Sequence, residues 1–123
     1  VLALALVVLA AESAGAADPL VITRHRFFRQ GPLLVFDAVV ENRSSQSLAQ
    51  LEVTAEFLSF FDELVRVEHA GLQPAVLGPA HRGALRVATP WDDAIRKVRL
   101  RFTWWLEGQP FQSRPEEEPL IWR

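Results

Sequence analysis

The chain of 123 residues contains no cysteine. Composition therefore excludes disulfides, thiolate catalysis, Cys-ligated zinc and a lipoprotein-type lipid anchor. Type-1 copper chemistry is excluded too, because it needs a Cys thiolate. Methionine is also absent. The apolar run at the start thus comes without an initiator or a basic leader, and the natural chain is expected to begin further upstream. Net charge is small, −2 with neutral histidines, which predicts no general attraction to nucleic acid or to anionic membranes. There is no Gly-rich phosphate loop and no Gly-x-Ser-x-Gly elbow. No long helical period follows residue 18, and no internal repeat is visible.

What is present begins with Val1 to Ala17, VLALALVVLAAESAGAA. This apolar run, closed by small residues, reads as a secretory signal peptide cut after Ala16 or Ala17. Val1 to Ala11 is too short to span a bilayer, which takes about 20 apolar residues. A buried N-terminal helix is the alternative, since Ala and Leu favour helix. Taking 17 from 123 residues leaves 106, enough for one domain with its own core. The leader holds a single charge, Glu12, so this remainder carries 13 Lys and Arg against 14 of the 15 acids. A secreted domain without disulfides relies on apolar burial and strand pairing. That suits a bacterial periplasm better than a eukaryotic extracellular module.

Beyond the leader the hydropathy alternates with period two. In Leu51 to Phe57 (LEVTAEF), Leu51, Val53, Ala55 and Phe57 fall on one face, and Glu52, Thr54 and Glu56 on the other. Val98 to Trp104 repeats this, with Val98, Leu100, Phe102 and Trp104 inward and Lys97, Arg99, Arg101 and Thr103 outward. Leu33 to Glu41 predicts a third strand with Leu34, Phe36, Ala38 and Val40 inside. A fourth runs from Leu64 to Glu68, where Leu64 competes with Val65 and Val67 for the inside. A fifth runs from Ala84 to Ala88 with Leu85 and Val87 inside. Leu20 to Phe27 predicts a first edge strand and Phe111 to Arg114 a last one. Gln30-Gly31-Pro32, Asn42 to Ser45, Asp62-Glu63, Gly71 to Pro79, Pro90 and Glu107-Gly108 supply the turns. Trp91 to Ile95 is the one candidate for a short helical turn. About seven short strands so punctuated predict an all-β, immunoglobulin-like antiparallel sandwich over residues 18–114. An acidic, Pro-flanked tail over 115–123 follows. It either folds back or presents Trp122 to another protein.

Phe36 to Thr103 resembles the FxLyD family and related immunoglobulin-like domains of bacterial envelope proteins. Three stretches carry the likeness. Phe36 to Ser44 (FDAVVENRS) is similar to a strand ending in Val-x-Asn-x-Ser. Val53 to Asp62 is similar to a strand ending in an aromatic-Asp pair. Leu77-Gly78-Pro79, followed by Leu85-Arg86-Val87, is similar to a Leu-x-Pro-Gly loop and the strand after it. The chain departs from the pattern where Pro79-Ala80 replaces Pro-Gly, where no Gly follows Asp62, and where Asp37 or Ala38 stands for a usual Gly. The resemblance implies a seven-stranded sandwich in a secreted or envelope protein and implies no catalytic residues.

Several constellations could carry function. Asn42-Arg43-Ser44 fits a glycosylation acceptor, but an Asn that ends a strand and bonds the turn is the plainer role. His25, His69 and His81 fall on different elements without an i,i+2 or i,i+4 pair, so they build no local chelate. The acid pairs Asp62-Glu63 and Asp92-Asp93 sit in predicted turns, and nothing in the sequence places them across a cleft. Lys97, Arg99 and Arg101 form a basic row on one strand face, either a docking stripe or a cross-strand match for Glu52 and Glu56. Trp105 is expected on that same outer face, and one of Phe60 and Phe61 must also face out unless a bulge intervenes. Exposed Trp105 and Phe60 would make an apolar partner patch. The candidate partner surface is therefore Lys97, Arg99, Arg101, Trp105 and Phe60. No catalytic, cofactor or metal residues are assigned. The reading is a non-enzymatic exported module that binds or scaffolds another envelope protein, with neither nucleic acid nor a membrane span. The alternatives are a periplasmic metal or small-ligand binder using the loop histidines, and, third, a hydrolase assembled from the loop acids.

Overall fold

The computed structural model describes residues 19–113 and 120–121. The expected leader over 1–17 lies outside them, as do most of the tail and Arg114. The strands are β1 (Leu20–Gln30), β2 (Leu33–Asn42), β3 (Ala49–Leu58), β4 (Leu64–Gly71), β5 (Arg82–Pro90), β6 (Lys97–Leu106), β7 (Gln109–Gln112) and the short β8 (Leu120–Ile121). They build two antiparallel sheets, one in the order β1-β2-β5 and the other β4-β3-β6-β7, with β8 also pairing β6. The all-β sandwich predicted from the alternation is thus present. One strand is placed differently from the constant-type immunoglobulin arrangement, in which the fourth strand joins the first, second and fifth. Here β4 pairs β3 and widens the larger sheet.

The two inner faces consist of the residues the period-two pattern selects. Leu34, Phe36, Ala38 and Val40 of β2 meet Leu51, Val53, Ala55 and Phe57 of β3 and Val98, Leu100, Phe102 and Trp104 of β6 in one buried cluster. Leu85 and Val87 of β5 join them. Each large side chain so buried contributes about 1.5–3 kcal/mol. Four loop residues complete the core, among them Leu48 from the β2–β3 connection. Leu72 and Leu77 come from the β4–β5 connection, and Ile95 comes from the β5–β6 turn. The turns follow local chemistry. Gly31 at φ 59 precedes Pro32 in a two-residue hairpin, and Glu107 and Gly108 both take positive φ in another.

The structure also resolves several local choices that the sequence left open and shifts one strand boundary. Leu64 and Val67 are both exposed, and of the competing residues Val65 packs on the core. A bulge between Phe57 and Leu58 shifts the phase, so Arg66, Glu68 and Ala70 stand opposite Phe57, Ala55 and Val53. Glu68 is tolerated there because it accepts a hydrogen bond from buried Thr89 of the facing sheet at 3.0 Å. Trp91 to Ile95 does form the short turn its sequence suggested: the Ile95 N–H donates to the Asp92 carbonyl, and the Asp92 carboxylate accepts from the Ala94 N–H. The last hairpin strand starts at Gln109, two residues before the expected Phe111, because a two-residue turn lets pairing resume at once. Finally, Leu120 and Ile121 of the tail pair with Val98 and Lys97, so the backbone there returns to the sheet.

Candidate binding face

The basic row of β6 is matched internally. The Lys97 ammonium lies 2.8 Å from Asp62, which its hydrogen bond holds below the usual carboxylate pKa. Arg99 stands directly opposite Glu56 at 3.7 Å, and Arg101 stands opposite Thr54. The Arg101 Nε is buried without a hydrogen-bond partner among the described residues. Cross-strand matching therefore accounts for Arg99 alone; the turn residue Asp62 answers Lys97, and Glu52, the other expected match, stands opposite Thr103 instead. Trp105 and Phe60 are both exposed, at 41% and 66%. They do not form one patch. Phe60 sits in the β3–β4 turn beside Lys97, with the ammonium 5.5 Å from its ring. Trp105 lies eight residues further along β6, about 26 Å away. Phe60 and Phe61 both face out because the turn carries them clear of either sheet, and their rings meet edge to face at 5.3 Å.

The histidines are likewise dispersed. His25 is on β1 near the Phe27 and Phe36 rings. His69 is on β4, its ring nitrogen 3.1 Å from the Thr54 hydroxyl. His81 lies just before β5, where its backbone bonds that of Asn42. Among the described residues no three His, Cys, Asp or Glu gather as a metal would require. Asn42 itself is fully buried and has the turn role. Its amide donates to the Gln46 and Leu77 carbonyls, and its oxygen accepts from the Ser44 N–H and hydroxyl.

Charge is unbalanced instead on the outer face of the three-stranded sheet. Register places Arg26, Asp37 and Arg86 in one row across β1, β2 and β5, and Arg24, Val39 and Ala84 in the next. Arg86 grips Asp37 with two bonds, Nε to Oδ1 at 2.7 Å and a terminal nitrogen to Oδ2 at 2.8 Å. Arg26 reaches the same Oδ2 at 3.1 and 3.3 Å. The Arg86 hydrogen bonds hold the Asp37 carboxyl below its usual range, against the upward push of partial burial, and Arg26 assists. Asp37 in turn raises the pKa of Arg86. Both guanidiniums also lie over the Phe28 ring, at 4.8 and 5.6 Å. Arg24 has no carboxylate within ion-pair distance among the described residues. These side chains line an open groove of about 680 Å³ together with Val39, Ala84 and Gln73. Gln73 is held there by paired backbone bonds to Ala84.

A carboxylate, sulfate or phosphate can take two parallel hydrogen bonds from one guanidinium, which suits this rim to anionic groups. Asp37 is a poor proton donor near neutral pH, because two guanidiniums favour its ionised form. Sequence reasoning assigned β1 only as an edge and passed over this face. Arg24-x-Arg26 on a predicted strand was a usable signal. That Arg86 joins them follows only from β5 lying beside β2.

No family model and no curated protein matches the chain. Solved structures do. A GH20 exo β-N-acetylglucosaminidase from Vibrio harveyi, in complex with N-acetylglucosamine, superposes at a TM-score of 0.53 and 15% identity over 78% of this chain. The match spans 17% of that enzyme's length. IrmA from Escherichia coli superposes at 0.57 and 9% identity, covering 77% of this chain and 82% of IrmA. An uncharacterized β-sandwich protein from Clostridium difficile 630 matches at 0.37 and 10% identity, over 80% and 86% of the two chains. At these identities the common property is the fold. The chain is a β-sandwich module with an arginine-rimmed outer face.

Proposed function

We propose that this chain is an exported, non-catalytic module of the bacterial envelope that binds another envelope protein through the outer face of its three-stranded sheet. The observation that carries the reading is the excess of guanidinium over carboxylate around one groove: Arg24, Arg26 and Arg86 face a single Asp37. The basic row on the other sheet has a smaller surplus, since Asp62 and Glu56 answer Lys97 and Arg99 and only Arg101 has no carboxylate within ion-pair distance among the described residues. The signal-like leader and the resemblance to FxLyD-like envelope domains support export, and the lack of cysteine suits a bacterial periplasm better than a eukaryotic extracellular setting. The absence of a gathered donor set among the described residues favours protein binding over metal binding.

Two measurements test this. Protein recovered from the envelope fraction should begin at Ala17 or Asp18, and a cytosolic product that retains the leader would refute export. A photo-cross-linking residue at Ala84, in the groove, should give a discrete protein adduct in living cells, whereas one at Glu52 on the other sheet should not. Equal labelling from both positions, or from neither, would refute the face.

A further inference from the structure

β1 is an end strand. It pairs with β2 on one side and with no strand among the described residues on the other. It is eleven residues long. On the open side, alternate residues point their backbone N–H and C=O groups outward, a template for another strand. The two faces of this edge differ. Arg24 and Arg26 project toward the groove, opposite Val39 and Asp37. They stand about 6.6–6.8 Å apart, the i,i+2 spacing of any neighbouring strand. His25 and Phe27 project the other way, opposite Ala38 and Phe36, and their rings lie 6.4 Å apart as an aromatic ledge. Asp37 answers Arg26 only in part, because the shorter bonds to that carboxylate come from Arg86.

We infer that an extended acidic segment of the partner adds to β1 as a further strand, beside the groove, and turns its acidic side chains onto the arginine rim. This rests on the binding face proposed above and specifies how it is used. Its backbone bonds the open edge of β1. Its alternate Asp or Glu side chains meet Arg24 and Arg26, and the apolar residues between them lie on His25 and Phe27. A second copy of this chain fits poorly. Antiparallel self-pairing centred on His25 sets Arg24 opposite Arg26 in both halves of the pair, a juxtaposition of like charges. The bulge between Ile22 and Arg24 ends the regular edge, so the added strand runs along Arg24 to Gln30.

The test uses the full chain and a labelled, end-blocked peptide of alternating Val and Glu, followed by fluorescence anisotropy. The peptide should bind, and Arg24→Glu with Arg26→Glu should weaken it by at least about tenfold while the circular dichroism melt stays cooperative, lowered only by the like charge set opposite Asp37. N-methylation of every second amide should remove binding by a similar factor in one phase and spare it in the other, because only one set of amides faces the edge. Equal binding by both methylated phases would overturn strand addition while leaving the groove as the binding face. Failure of the unmodified peptide to bind would overturn the acidic strand, with the Ala84 cross-link deciding separately whether the face itself is used. Binding unchanged by the charge reversals would overturn the role of the arginines here and in the wider reading.

Discussion

The side-chain amide of Asn42 donates to the carbonyl of Leu77, 35 positions away, at 2.9 Å and out of reach of solvent. With Gln46 and Ser44 as further partners, this one residue ties the end of β2 to the loop beyond it and to the β4–β5 connection. The Leu48–Leu77 bridge lies beside it, so Asn42 anchors the segment that delivers Leu77 to the core.

Asn42→Ala should therefore destabilise the protein by about 1–3 kcal/mol, because the buried amide link to the Leu77 carbonyl and the acceptor for both Ser44 donors are lost together, while Leu48 N–H and the Ser44 hydroxyl still bond the Leu77 and Gln46 carbonyls. Asn42→Asp should cost at least as much near neutral pH, since it aims a carboxylate at two carbonyls. Urea midpoints with an unchanged slope would show it. A loss below about 0.5 kcal/mol would mean that the loop finds other partners.

Phe57 and Phe60 differ by three positions and should differ widely in cost. Phe57 is fully buried, so Phe57→Ala should lose about 3–5 kcal/mol. Phe60 touches mainly Phe61 and Lys97 at the surface, so Phe60→Ala should stay within about 0.5 kcal/mol. Chemical denaturation of the two variants side by side checks the contrast.

Arg99→Glu places like charges directly opposite each other across β3 and β6. It should cost about 0.5–1 kcal/mol, and Glu56→Arg in the same chain should restore most of that. A double-mutant cycle measures the coupling. If the stripe were instead a docking site, the charge swap would abolish partner capture while leaving stability unchanged.

Asp37 sets a pH dependence whose sign follows from its lowered pKa. The folded protein holds this carboxylate ionised more firmly than the unfolded chain does. The stabilisation is thus complete above the unfolded value, near pH 4, and is lost as pH falls through the lower folded value. The stability gap between the natural chain and Asp37→Asn should be constant above about pH 5 and close on acidification. Denaturant midpoints across that range would reveal it, and a gap that widened in acid would contradict the assignment.

The strands were legible because their inner residues alternate without interruption. Leu51 to Phe57 and Val98 to Trp104 carry the code in consecutive positions, and burial follows it. It failed on β4, where the bulge beside Phe57 breaks the phase and Glu68 finds Thr89 across the sandwich. It was silent on Leu72, Leu77 and Ile95, because a single apolar residue in a loop has no period to reveal which way it points. The β6 stripe was found and its Glu56 match anticipated, since both residues sit on strongly patterned strands. The arginine groove was not, because its members come from three strands whose order is not written locally.

By itself, then, the order of residues determined the class of fold, the strand faces and the turns, since each depends on near neighbours through backbone geometry and side-chain alternation. Tertiary structure decided which strands stand side by side. That choice brought Arg26 and Arg86 onto one carboxylate and left Arg24 without one. It depends on packing between sheets and on crossovers between distant segments, and so the place where charge stays uncompensated emerges only when the chain is folded.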